Sequence, residues 1–235
     1  MSDPRTVIAA RVARELADGD LVNLGIGLPT VVADHLPPGI QVTFQSENGI
    51  VGMGPSPEPG KEDRDVFNAG GRPVTILRGG AVFDSALSFG IIRGGHVDVT
   101  VLGALEVDEE GSLASWSIPG KFTPGIGGAM DLVVGARKVV VAMEHTTKTG
   151  ASRFLRRCTL PLTARGRVNL LVTELAVFRF DGSGPHLIEL QPGATLEDVC
   201  RKTEARFEVA LDSRTLQSRT TIAAIRPAAA AREVA

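Results

Sequence analysis

The stretch that most limits the fold is residues 138–143, KVVVAM. After its opening lysine every side chain is apolar, so the segment has no face to give to water. A strand of this kind needs cover on both faces, which is the situation inside a parallel sheet flanked by helices. Residues 97–102, VDVTVL, are β-rich from end to end and read the same way. Helix-like stretches separate these runs, and the alternation predicts an α/β chain.

Asp3-Pro4 opens a helix with Val7, Ile8, Val12 and Leu16 on one face, stopped by Asp18-Gly19-Asp20. A short strand at 21–24 runs into Gly25-Ile26-Gly27, and Pro29 stands where a helix start tolerates it. A second strand ends in the FQSENG passage at 44–49. Residues 52–60, GMGPSPEPG, read as loop, and 74–77 as a strand. Asp84 is an N-cap for a helix over 85–93 that Gly94-Gly95 stops. From Arg167 onward the runs RVNLLV, ELAVFRF and PHLIEL predict strands, the last two joined through Asp181-Gly182-Ser183-Gly184. Thr195-Leu196-Glu197-Asp198 begins a final helix before Phe207-Glu208-Val209, and the tail past Leu216 reads as frayed.

At 235 residues the chain can bury a substantial core, and 43% hydrophobic against 22% charged residues is the balance of an ordinary globular protein. The net charge of −2, with no Lys/Arg stripe among aromatics, argues against nucleic acid as a partner. No apolar run approaches the roughly 20 residues of a membrane span, and the N-terminus lacks the apolar stretch of a signal peptide. A cytoplasmic location is the expectation. Cys158 and Cys200 show no ligand spacing, so both read as small reduced core residues, and no metal is indicated.

Several glycine clusters invite a nucleotide reading that fails on detail. Gly25 and Gly27 are followed by Thr30, and Gly125 and Gly127 by Met130, where a dinucleotide fingerprint needs its third glycine. Gly120-Lys121 lacks both the leading glycine of a P-loop, with Ser115 in its place, and the trailing Ser/Thr, with Phe122 there. What remains is glycine turns that let a backbone approach a ligand or another strand. Of the histidines, His35 and His186 lie in loop-like contexts and His96 just before a strand. His145 follows a strand, and a structural or surface place suits all four. Glu144 and His145 stand out, because strand C-termini line the ligand crevice of open α/β sheets.

Glu47 poses the sharper question: it ends a strand, precedes Asn48-Gly49 and has uncharged neighbours. A solvated acid at a turn is one reading. A carboxylate aimed outward as nucleophile or base, with glycine turns supplying oxyanion donors, is the other.

Residues 44–52, FQSENGIVG, resemble the active-site signature of the 3-oxoacid coenzyme A-transferases. The likeness extends through VNLGIGLPT (22–30), FDSALSFGIIRGGHVD (83–98), IPGKFTPGIGGAMDLV (118–133) and VAMEHTTKTG (141–150). It continues in CTLPLT (158–163) and ELAVF (174–178), so it spans roughly residues 5 to 210. The chain is similar to the B (β) subunit, whose fold is implied to be α/β with an open mixed sheet flanked by helices, the CoA-transferase or isomerase-like fold. The resemblance makes residues 1–216 one domain and 217–235 a tail. It implies Glu47 as nucleophile, Gly128 as the oxyanion N–H, and Gly25, Gly27, Asn48 and Gly127 as substrate-binding residues. Acyl-CoA and a 3-oxoacid would be the substrates, no cofactor would be needed, and an A (α) subunit would be the partner. Likeness is weaker around Gly70-Gly71-Arg72-Pro73 and Gly79-Gly80-Ala81, where acid specificity could differ. Two other classes stay open: an acyl-CoA hydrolase using the same glutamate, and a non-catalytic small-molecule-binding relative.

Overall fold

The protein is described by a computed structural model covering residues 3–121, 123 and 125–211. The expected boundary at residue 216 and the tail beyond it lie outside the described residues. The chain runs α1 (Pro4–Ala13), β1 (Leu21–Leu24), a 3₁₀ segment (Leu28–His35), β2 (Thr43–Ser46), β3 (Ile50–Met53), β4 (Ile76–Val82), α2 (Ser85–Arg93) and β5 (Val99–Leu102). It continues through β6 (Glu106–Asp108), β7 (Leu113–Ala114), α3 (Ala129–Gly135), β8 (Lys138–Ala142), β9 (Phe154–Leu155) and β10 (Leu170–Val172). The last elements are β11 (Ala176–Asp181), β12 (Gly184–Leu190), α4 (Leu196–Lys202) and β13 (Glu208–Val209).

Among the described residues, ten strands form one mixed sheet in the order β13-β12-β11-β10-β8-β5-β1-β2-β3-β4, and β7-β6-β9 form a small second sheet. The five central strands, β10 to β2 in that order, are mutually parallel, while β3, β4, β11 and β12 join through antiparallel pairs. The apolar run of β8 explains itself here. Val139 and Val141 pack with Ile92 of α2 and Leu132 and Val133 of α3, whereas Val140 and Ala142 pack on the opposite face with Ile8 and Val12 of α1. Burial of such a side chain is worth about 1.5–3 kcal/mol, so a polar residue on either face would be costly.

The expected caps are present. The Asp84 carboxylate accepts the Leu87 N–H at 2.8 Å, and Thr195 Oγ1 accepts that of Asp198 at 3.1 Å. Two strand expectations need correction. Residues 52–60 are not all loop, since β3 reaches Met53, and the strand expected at 74–77 is β4, which continues through Gly79-Gly80 to Val82. The reason is close approach: a Cβ on Gly52 would lie 2.7 Å from the Gly80 Cα. Glycines that read as breakers are what let these two strands pair. Pro29 does open a helix, though of the 3₁₀ kind. His186 sits in strand β12 rather than a loop, and Cys200 is exposed rather than in the core. The small sheet and α3 were not anticipated. Among the described residues no helix is long and apolar enough to cross a membrane, and no cluster of metal-binding side chains occurs.

Candidate functional site

Strand β1 lies between β5 and β2, and the chain leaves β1 toward one edge of the sheet but β5 toward the other. Loops after such neighbours diverge and leave a crevice at the C-terminal rim of the strands. A cleft is found there, lined by Ile26, Leu28 and Pro29 after β1, Gly103 and Ala104 after β5, and Met143 and Glu144 after β8, with Arg5 and Arg153 at its wall. Neither arginine has an ion-pair partner among the described residues, so the cleft carries two open positive charges beside one acid.

Glu47 follows β2 on the same rim and is half-buried. Its turn is closed by the Gly49 N–H donating to Ser46 O at 3.0 Å. Gly49 is required: its φ is +124° and a Cβ would collide with Phe83 O. The Glu47 carboxylate accepts from Asn23 Nδ2 at 3.2 Å and has no ion-pair partner among the described residues. On the residues flanking it, Ser46 Oγ accepts the Ala69 N–H at 2.9 Å and the Asn48 amide donates to Phe67 O at 2.7 Å. These two bonds fasten the 67–69 loop beside the acid.

Gly128 stands at the start of α3 against Glu47. A Cβ placed on it would be 3.2 Å from Glu47 Cγ and 3.2 Å from Phe89 Cζ, tighter than ordinary side-chain contacts. Its N–H has no acceptor among the described residues, so the residue packed against the Glu47 side chain keeps an unused backbone donor. The structure therefore brings Glu47, Asn48 and Gly128 together, with Gly127 exposed alongside. Gly25 and Gly27 occupy the end of β1. Gly25 donates to Val101 O at 2.8 Å and a Cβ there would come within 3.1 Å of that oxygen, which makes its smallness a matter of strand packing. Gly27 begins the 3₁₀ segment and faces open space.

Sequence reasoning missed the residues beneath Glu47. Asn23, Gln45, Ser88 and Thr100 are all buried, in a part of the sheet that is otherwise apolar. The signal was present as Asn and Gln inside the strand runs LVNL and TFQS, where a covered strand calls for apolar side chains. The strand-end pair divides. Glu144 is exposed and lines the cleft, whereas His145 is fully buried, with Nδ1 3.0 Å from Thr173 Oγ1 and Nε2 2.9 Å from Thr203 Oγ1. Burial, and then the charge of Lys202, lower its pKa from 6.5 to about 4. A neutral imidazole so enclosed ties the end of β8 to the 173 and 203 turns. The Cys158 thiol is pushed up by burial and by Asp108, so it stays protonated and unreactive.

Residues 5–202 match the family model described as coenzyme A transferase. Among named proteins, the chain is 59% identical to the β subunit of the acetate CoA-transferase of Escherichia coli K12, over 91% of this chain and 97% of that one. It is 51% identical to the corresponding (B) subunit of the succinyl-CoA:3-ketoacid coenzyme A transferase of Helicobacter pylori, over 88% of this chain and all of that one. Among solved structures, an acyl-CoA transferase of Escherichia coli O157:H7 superposes with a TM-score of 0.69 at 22% identity, over 91% of this chain. This chain spans 44% of that larger one, and the likeness speaks for the fold alone.

Proposed function

This chain belongs to the coenzyme A transferase family, and on that footing we propose that it is the glutamate-bearing subunit of an enzyme moving CoA from an acyl-CoA, succinyl-CoA in our reading, to a 3-oxoacid such as acetoacetate or 3-oxoadipate. The observation that carries the reading is the half-buried Glu47 carboxylate, without an ion pair among the described residues, with the backbone of Gly128 packed against its side chain.

The chemistry follows from that pair. The Glu47 carboxylate attacks the thioester carbonyl, the C–S bond breaks, and an acyl-glutamyl anhydride and CoA thiolate result. The thiolate then attacks the glutamyl carbonyl, the donor acid leaves as its carboxylate, and Glu47 is held as a CoA thioester. An acceptor acid reverses both steps. A carboxylate is a weak nucleophile, so oxyanion stabilisation must carry much of the rate, and we assign the Gly128 N–H to receive charge from the substrate carbonyl. Arg5 and Arg153 in the neighbouring cleft suit an anionic acid. CoA and acyl-CoA are substrates here, and the reaction calls for no further cofactor.

The relatives matched over nearly their full length are named as one subunit of a transferase. We therefore assign this chain an A (α) partner that completes the site and shuts out water, and place the complex in the cytoplasm. Ile26, Phe67, Leu87 and Met130, large apolar side chains left exposed, offer surface for such a partner.

Heavy-oxygen labelling tests the mechanism. With the partner present, turnover with acceptor acid labelled in its carboxylate leaves one labelled oxygen on Glu47 when CoA returns to the acceptor carbonyl. Mass analysis of the peptide holding Ser46-Glu47-Asn48 should find it. Brisk turnover without label would overturn the glutamyl-CoA route. Steady CoA release with no acceptor acid would instead mark a hydrolase, and full transferase activity from this chain alone would remove the need for a partner.

A further inference from the structure

Phe89 takes no part in the reaction as written, yet its half-buried ring lies where the two groups of that reaction meet. The position a Cβ would take on Gly128 is 3.2 Å from Glu47 Cγ, 3.2 Å from Phe89 Cζ and 3.3 Å from Phe89 Cε1. Glycine backbone, glutamate side chain and the tip of the ring thus converge on one spot. Of the three only the ring has no internal torsion, so it is the part that can act as a stop.

The ring is itself held. Arg93 follows Phe89 by one turn of α2, so the two side chains share a face of the helix. The Arg93 Cζ stands 5.6 Å from the Phe89 ring centroid, within reach of a cation–π contact, and its Nε donates to Asp131 Oδ1 at 2.7 Å. Asp131 lies in the first turn of α3, the helix that Gly128 caps, and the Leu132 N–H closes that turn on Gly128 O at 3.0 Å. The contacts therefore run in a closed circuit from Gly128 through Asp131, Arg93 and Phe89 back to Gly128. At the other end of α3 a Cβ on Gly135 would collide with Ile92 O, so that end is pressed on α2 as well.

We propose that Phe89 is a positioning residue, whose ring spaces the Gly128 backbone from Glu47 and closes that side of the acid to water, and that the Arg93–Asp131 pair holds the ring in place. The inference rests on Glu47 being the nucleophile. A loaded Glu47 is open to a side reaction. Water that adds to the glutamyl carbonyl of the thioester breaks the C–S bond, leaves one of its oxygens on the restored carboxylate and gives a proton to the departing CoA sulfur. An apolar ring beside Glu47 Cγ fills the room such a water needs and offers it no hydrogen bond. The same ring limits how closely α3 can approach, and with that it sets where the Gly128 N–H stands.

The test uses the complex with its partner subunit and reads two rates from adduct mass on the Glu47 peptide. One is loading with CoA from acyl-CoA; the other is loss of the thioester to water once excess acyl-CoA is removed and no acceptor acid is present. Phe89→Ala should slow loading by about 10²-fold, as a misplacement near 1 Å does. It should also shorten the life of the thioester by roughly tenfold, because water gains the vacated room. A purely structural Phe89 would lower the yield of complex and leave that lifetime unchanged. Phe89→Tyr keeps the stack and reports even if the alanine variant does not assemble. Its hydroxyl is added at Cζ, the atom against Gly128, and the overpacking should slow loading by about tenfold. Arg93→Met and Asp131→Asn should each slow loading by about threefold, and the double variant by no more than either, since the two act as one unit. A rise in the acyl-CoA KM for Arg93→Met, with loading at saturation unchanged, would make Arg93 a substrate contact and overturn its holding part. If the wild-type complex never loads Glu47 with CoA, the nucleophile assignment itself has failed. If it loads and Phe89→Tyr loads as fast, or the Phe89→Ala thioester lasts as long as the wild type's, the Phe89 inference alone is wrong.

Discussion

Glu47 and His145 both follow parallel strands on one rim of one sheet, Glu47 one residue past β2 and His145 three past β8. Glu47 keeps part of its surface, touches a single amide and faces a glycine whose N–H has no acceptor among the described residues. His145 is sealed between two threonine hydroxyls, and burial holds it neutral. The crevice rule for α/β sheets points equally to both positions. What separates them is what the neighbouring strands place around them. The central strands set Glu47 against Gly128 with part of its surface open, while the 173 and 203 turns close over His145.

The largest effect that could break the contrast is at the acid. Glu47→Ala should lower transfer by on the order of 10⁴-fold or more, as loss of a nucleophile does in other covalent enzymes. Its melting temperature should stay close to wild type, because the side chain is only half-buried; a variant with near-normal turnover would remove Glu47 from the chemistry. Gly128→Val comes next. Its Cβ would press on both Glu47 and Phe89, and turnover should fall by about 10²–10³ in protein that still melts cooperatively.

His145 sharpens the contrast through pH. Its folded pKa lies below the unfolded value, so the unfolded chain binds more protons between the two. The stability it contributes is therefore full above pH 6.5 and is lost as pH falls toward about 4, a swing of about 3 kcal/mol in denaturant titrations. His145→Gln should flatten that dependence and leave transfer at neutral pH within about threefold. A steep loss of turnover at unchanged stability would mean that His145 acts in the chemistry after all. The smallest effect is expected at Glu144→Gln. Removing an exposed acid from a cleft that also holds Arg5 and Arg153 should lower the KM for the acid about twofold, and more at low salt. A rise in KM would show that the carboxylate helps binding.

Much of the fold was legible because its signals are local. A strand with no polar side, as in KVVVAM, has only one kind of place to go, and caps such as Asp84 and Thr195 act within a few residues. The glycine strands β3 and β4 were misread for the converse reason. Gly52 and Gly80 have meaning only when their backbones meet, and a breaker rule cannot see the partner strand. Cys200 shows the same limit, since residue type suggests a core and only packing reveals the exposed side of α4.

By itself the sequence determined an α/β chain, the turn that begins with Glu47, and the glycine run before α3, because each is written in neighbouring residues or in a resemblance of motifs in order. Only the tertiary structure decided that Gly128 meets Glu47, that Asn23, Gln45 and Ser88 form one hydrogen-bonded row beneath it, and that Glu144 faces the cleft while His145 does not. Those facts depend on strand order and register. In this sheet β1 lies between β2 and the later β5, so residues 23, 45 and 100 become neighbours across strand pairs, and Ser88 of α2 joins them through Gln45, by contacts that no stretch of sequence contains.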